Sequence, residues 1–154
     1  MATENRKTSR KALATLLGAA LVGDGKPCST VFSYRPAIDR IQTITTPFVF
    51  VTSASTEDDI GHSVLQDTTF IHDVHTVVLY SDMNTWQEDD AEDSLDDIEA
   101  IVRDVVNANR SATQWAQLEY RGPTNAADVD FDIGGLTYRH EIIRIAARYQ
   151  GNRS

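Results

Sequence analysis

Two histidines three residues apart, His72 and His75, are the first candidates for chemistry in this chain. On a helix this spacing would let them share a metal ion, but the surrounding residues Thr69 to Ser81 form a long, β-rich apolar run typical of a strand. On a strand an odd spacing directs the two side chains to opposite faces. His62 falls in a loop and His140 in the last predicted strand, so we expect no zinc site from the histidines.

The densest charge in the chain is an acidic run with eight acids in twelve residues. Its members are Glu88, Asp89, Asp90, Glu92, Asp93, Asp96, Asp97 and Glu99. A calcium loop starting at Asp82 fails because Trp86 stands at its fifth position and Gln87 where glycine is required. Acids at a helix start stabilise it through the helix dipole. Eight acids exceed what the dipole needs. A second interpretation is therefore an acidic surface that contacts basic partners or faces DNA without binding it.

A second acidic pattern, Asp128, Asp130 and Asp132, imitates the opening of a calcium loop. The glycine, Gly134, comes one position late, and the twelfth position holds Arg139 instead of glutamate. Alternation also places three carboxylates on one face of a strand. We therefore expect an exposed strand face here and no metal.

No catalytic constellation is visible in the sequence. There is no G-x-S-x-G elbow, no P-loop, no G-x-G-x-x-G and no H-E-x-x-H. Cys28 is the only cysteine, which excludes an internal disulfide and favours a reducing compartment. We expect Cys28 to be a small buried residue, and Trp86 and Trp115 to pack in the core or at its edge. The sequence thus predicts neither an enzyme nor a cofactor.

Size and composition fit one domain over residues 1–154, because 154 residues with 41% hydrophobic content can bury a core. No apolar run reaches the roughly 20 residues that span a bilayer. A net charge of −9 argues against a large nucleic-acid-binding face. The basic residues gather near the two ends, while the middle is acidic, as suits a molecule that contacts its own copies or a complementary partner. These clusters are Arg6, Lys7, Arg10 and Lys11, and Arg139, Arg144, Arg148 and Arg153.

The element pattern predicts an α+β fold, with a mixed, largely antiparallel sheet packed against an N-terminal helix and a central amphipathic helix. The helices are expected over residues 4–22 and 90–109. Strands are expected at CSTVFSYRP, PFVFVTS, residues 69–81, WAQLEY, ADVDFDI and LTYRHEIIRIAARY. Residues 37–46 are ambiguous, and 53–68 read as an exposed loop. Residues 1–3 and 151–154 are expected to be unstructured.

This order of elements, with the segments VVLYSDMNTWQEDDAEDSLDDIEAIV, GPT and GGLTYRHEIIRIAARY, resembles the tail terminator, or tail completion, proteins of tailed bacteriophages. The resemblance covers most of residues 10–149 and rests on element order and character, not on a catalytic signature. Only the segment 53–68 is long for the pattern. Related head-closure and neck proteins share small α+β designs, so a neck protein of that kind is the alternative, and a monomeric adaptor domain is another.

The resemblance implies a structural virion protein, assembled in the host cytoplasm, that forms a hexameric ring in the phage neck. Such a ring would cap the last tail-tube ring, stop polymerisation and contact the head connector. DNA would pass through the lumen without specific binding, and no membrane would be involved.

A ring needs two different faces that complement each other. From the residues we predict that the acidic helix start contacts the basic last strand of a neighbour, or that some acids line the lumen. The predicted interface residues are Glu88, Asp89, Asp90, Glu92, Asp93, Arg139, Arg144 and Arg148.

Overall fold

A computed structural model describes residues 5–59, 67–81, 88–111, 115–121, 125–133 and 136–149. The two helices and six strands described are α1 Arg6–Leu21, β1 Val31–Phe32, β2 Phe48–Asp59, β3 Asp67–Ser81, α2 Glu88–Ala108, β4 Gln117–Tyr120, β5 Asn125–Ile133 and β6 Leu136–Tyr149. A 3-10 helix, Ile38–Thr43, occupies the segment that the sequence left ambiguous. The predicted α+β class, with a mostly antiparallel sheet and two helices, is confirmed.

The sheet is built around its two longest strands, β3 and β6, which pair antiparallel from Thr68–Tyr149 to Ser81–Thr137. β2 lies on the other side of β3 and is also antiparallel, while the short β1 joins β2 in parallel. β4 pairs with the second half of β6 and β5 with the first half. Because β3 occupies one edge of β6, β4 and β5 lie end to end along its other edge.

Two predictions about local structure were wrong. The expected first strand shrinks to Val31–Phe32, because only these residues reach β2. The expected loop 53–68 is largely strand, since β2 continues to Asp59 and β3 begins at Asp67. Thr is common in strands, so a polar composition alone does not end a strand. Residues 60–66, and the predicted unstructured ends, lie outside the described residues.

One face of the sheet, here called the helix face, is covered by α1 and α2. Their apolar stripes meet Val49 and Val51 of β2, Val74 of β3, and Ile143 and Ile145 of β6 in one buried cluster. The other face, here called the open face, carries a smaller cluster under the 3-10 helix. The alternation of Phe48 and Phe50 with Val49 and Val51, expected from the sequence, divides these residues between the two faces.

Cys28 and Trp115 are both buried, as the sequence predicted. Cys28 is buried, and burial raises the pKa of its thiol to about 12, which keeps it protonated and a poor nucleophile. Trp115 is 2% exposed, and its indole N–H donates to the Asn109 carbonyl at 2.8 Å, so it packs in the core. Trp86 and His62 lie outside the described residues, as do the side chains of the acids in β5.

Candidate functional site

The acidic run forms the start of α2, at one end of the helix face. Ala91 and Leu95 are buried against Val78 of β3, with Tyr80 packed beside them. Asp89 and Asp90 are exposed in the first turn of α2, and Asp93, Asp96 and Asp97 are exposed in the turns that follow. The helix therefore holds these carboxylates in a fixed array that faces solvent.

Two of the predicted interface residues contact each other within one chain. Arg139, on the helix face of β6, forms an ion pair with Glu92 of α2. The sequence predicted these residues on complementary surfaces of different subunits. The structure brings the oppositely charged groups together inside the subunit, so they hold α2 against the sheet. Glu88 begins α2, and its side chain is not among those described.

The three arginines of β6 do not share a face, contrary to the single basic face that the sequence suggested. Arg139 and Arg144 are an odd number of residues apart, so their side chains point to opposite sides of the sheet. Arg144, on the open face, binds Asp73 through two hydrogen bonds of 3.0 and 3.3 Å. Arg148, on the same face, is exposed and lines a groove that also contains Glu57 and Glu119.

A basic surface lies at the other end of the helix face, where α1 begins. Arg6, Lys7 and Lys11 are exposed, and Arg6, Lys7 and Arg10 line a wide groove of about 770 Å³. Arg10 is oriented by the Ser33 carbonyl, to which its Nε donates at 2.6 Å. The start of α1 is fixed by Asn5, whose side chain accepts from the Thr8 backbone N–H at 2.8 Å.

The position of this basic end is set by a buried hydrogen bond between Ser9 Oγ and His72 Nε2, 2.8 Å long. His72 is fully buried, and burial together with Arg10 and Arg6 lowers its pKa to about 4. It is therefore neutral at pH 7. Along β3, His72 is six residues from Val78, which contacts the acidic helix start, a separation of about 20 Å. The helix face is thus positive at one end and negative at the other.

The open face holds a second feature that sequence reasoning missed. His75 Nδ1 and His140 Nε2 lie 2.7 Å apart, and His75 Nε2 lies 2.9 Å from Thr52 Oγ1. The His75 ring stacks on Phe50, with centroids 4.4 Å apart. Burial lowers the pKa of His75 to about 4, with a further contribution from His140. A base this weak is poorly matched to proton abstraction at neutral pH, and the imidazoles form a fixed polar wall.

This polar wall borders a groove of about 340 Å³, here called the Arg35 groove, lined by Arg35, Ile38, Ile41, Phe50, Val77 and His140. Sequence alone gave no signal for it, because the approach of His140 to His75 depends on the register of β3 and β6. In that register Val77 is opposite His140 and His75 is opposite Ile142, which makes the two histidines diagonal neighbours on one face.

The described part of the chain contains neither a cluster of metal ligands nor a helix that could cross a membrane. No group of three His, Cys, Asp or Glu side chains there is arranged to hold a metal ion. The predicted placement of His72 and His75 on opposite faces is confirmed, because His72 bonds to α1 and His75 stacks on the open face. Neither described helix has the length and hydrophobicity needed to cross a membrane.

No protein-family model matches the chain, and no curated protein sequence matches it.

Proposed function

We propose that this protein is a structural component of the neck of a tailed bacteriophage. It assembles head-to-tail into a ring, a hexamer by the resemblance, that terminates tail-tube polymerisation and joins the tail to the head connector. The observation that carries the proposal is the separation of charge along the helix face. The resemblance in element order supplies the phage context.

Charge separation favours head-to-tail contact for a simple reason. A ring uses one patch of a subunit to bind a different patch of the next, so the two patches must be complementary and lie apart. The basic start of α1, with Arg6, Lys7 and Lys11, and the acidic start of α2, with Asp89 and Asp90, meet both conditions. Opposite charges also favour encounter and suppress contact between like ends.

This assignment revises the contact proposed from the sequence. The acidic partner is retained, but Arg139 is engaged by Glu92, and Arg144 by Asp73. The basic partner moves from β6 to the start of α1. Exposed acids further along α2, such as Asp93 and Asp97, remain available to line a lumen through which DNA would slide without adhering.

The ring contact is tested by reversing the charge of each end separately. One variant carries Arg6→Glu and Lys7→Glu, and a second carries Asp89→Lys and Asp90→Lys. Each alone should lower the mass seen by size-exclusion chromatography with light scattering at low salt, because like charges then meet. Mixed in equal amounts, the two variants should form the ring again. The α1 start of the first variant is now acidic and complements the α2 start of the second, which is now basic.

The mixture also reports ring symmetry. Two kinds of subunit must alternate, so only an even-numbered ring can close, as a hexamer would. The controls are Arg40→Glu and Asp24→Lys, which each reverse the charge of one exposed residue outside both charged helix starts and should leave the mass unchanged. A wild-type chain that stays monomeric at every concentration would instead support an adaptor domain. Unchanged mass in both end variants would remove the charged ends from the contact.

The position in the neck needs a separate experiment. Purified ring added to tail-tube protein during polymerisation should stop tube growth, seen as shorter tubes by electron microscopy. A head-closure protein would leave tube length unchanged and bind the head connector instead. A structure of the ring with the acids of α2 on its outer rim would refute the lumen-lining role.

A further inference from the structure

The open face carries an apolar surface that the proposed ring contact does not use. Among the described residues, the exposed large hydrophobic side chains are Tyr34 and Ile38, at 47% and 65% exposure. Both belong to the segment that borders the Arg35 groove. Hydrophobic side chains gathered at a groove mark a protein contact more often than isolated ones do.

The groove beneath them is built to hold a bulky apolar group. Ile38, Ile41 and Val77 form its apolar wall, and Phe50 is fixed in place by the stacked His75 ring. Its volume of about 340 Å³ is at the small end for a ligand site. That space suits one large side chain with part of its backbone.

A positive charge stands at the entrance of this groove. The Arg35 guanidinium carbon lies 5.7 Å from the centroid of the Phe50 ring, and the residue is exposed. Arg35 makes no hydrogen bond or ion pair within the described part of the chain. In a protein of net charge −9, a carboxylate is repelled by much of the surface and attracted here.

We propose that the Arg35 groove is the docking site for a segment of a partner protein that presents a bulky apolar side chain next to a carboxylate. The apolar side chain enters between Ile38 and Val77, and the carboxylate pairs with Arg35 at the entrance. The exposed Tyr34 and Ile38 extend the contact along the segment, which favours a polypeptide over a small free ligand. This site is independent of the charged ends of the helix face.

The chemistry is tested with blocked tetrapeptides and the intact protein, using saturation-transfer NMR, which also works on a large ring. Gly-Phe-Glu-Gly should bind saturably in the millimolar range, as expected for one side chain and one rim ion pair. Gly-Phe-Gln-Gly should bind about threefold more weakly, the usual worth of an exposed ion pair. Gly-Ala-Glu-Gly should bind at least about tenfold more weakly than Gly-Phe-Glu-Gly, because the bulky apolar group is absent.

Two protein variants locate the site. Arg35→Gln should abolish the difference between the Glu and Gln peptides while leaving affinity for the Gln peptide unchanged. Arg40→Gln removes the same charge from an exposed arginine of the adjacent 3-10 helix and should preserve the difference. Ile38→Ser should weaken both peptides without lowering the melting temperature, because Ile38 is largely exposed.

Four results would overturn the proposal. They are no saturable binding of the Glu peptide, equal affinity for the Glu and Gln peptides, N-acetyl-phenylalanine binding as tightly as the peptide, or a changed oligomeric mass in Ile38→Ser. The third would indicate a small-molecule site. The fourth would mean that the groove holds a second copy of this chain.

Discussion

The two faces of one sheet treat the same residue types in opposite ways. On the helix face, His72 is fully buried and hydrogen-bonds to Ser9 of α1. Three residues along the same strand, His75 is part of a wall beside a groove. The helix face encloses His72 between the sheet and α1, whereas on the open face His140, hydrogen-bonded to His75, lines a groove.

The difference arises from what covers each face. α1 and α2 bury the helix face from β2 to β4. The open face is covered at one end by the 3-10 helix, over Phe48 and Phe50, with Phe32 of β1 packed against the same cluster. Elsewhere it carries charged pairs such as Asp73 with Arg144. Substituting buried residues of the helix face should therefore change stability, whereas substituting exposed residues around the Arg35 groove should change binding.

The strongest test of this contrast uses the same substitution on both faces. Ile98→Ala in α2 removes a fully buried side chain and should lower the free energy of unfolding by about 2–5 kcal/mol. Ile38→Ala, at a 65% exposed position, should change it by less than about 0.5 kcal/mol. Urea denaturation followed by circular dichroism measures both. Equal losses would show that the open face is as much a core as the helix face.

The next test concerns Glu141, a buried carboxyl on the helix face. Burial under α2 raises its pKa from 4.5 to about 7, with Glu99 and Asp96 adding to the rise and Arg139 opposing it. The pKa of Glu141 in the folded protein exceeds its pKa in the unfolded chain. The protonated carboxyl therefore makes its full contribution to stability below about pH 4.5. That contribution is lost as the pH rises through about 7.

The free energy of unfolding of the wild type should fall between pH 4.5 and about pH 7, and Glu141→Gln should remove this fall. A difference of one in pKa between the folded and unfolded states is worth about 1.4 kcal/mol, so the change is measurable. Thermal melts across this pH range provide the test. The control is Asp73→Asn on the open face, where the carboxylate is paired with Arg144. An identical pH dependence in wild type and Glu141→Gln would contradict the expectation.

The hydroxyl groups that hydrogen-bond to the two buried histidines, His72 and His75, provide a third comparison. Ser9→Ala leaves His72 without its hydrogen bond inside the helix face and should cost about 1–3 kcal/mol. Thr52→Val removes the hydroxyl next to His75, on the less covered face, and should cost about 1 kcal/mol or less. Chemical denaturation at pH 7 measures both. A larger loss for Thr52→Val would reverse the assignment of roles.

The smallest effect is expected for the charged pair on the open face. Arg144→Gln breaks the ion pair with Asp73 and should lower stability by less than about 1 kcal/mol, because Arg144 is exposed. The loss should shrink further in high salt, which screens exposed charges. A double-mutant cycle with Asp73→Asn isolates the pair. A coupling that persists in high salt would mean that the pair is more enclosed than its exposure indicates.

Much of the fold could be predicted from local patterns. The spacing of Leu95, Ile98 and Val102 predicts α2, and the alternation around Phe48 and Phe50 predicts which residues of β2 share a face. The segment 53–59 was missed because its serines and acids resemble a loop, although paired backbone groups hold it in β2. Among the interface residues, the acids of α2 are exposed as expected, whereas Arg139 and Arg144 are divided between the two faces.

The sequence by itself determined the helices, most of the strands and the two-sided character of β2 and β3, because periodicity is a property of consecutive residues. It also determined the charge of the segments that start α1 and α2. Only the tertiary structure decided that these starts lie at opposite ends of one face, that Arg139 meets Glu92, and that His140 meets His75. Those contacts follow from strand register and helix placement, which are set by packing between residues far apart in the chain.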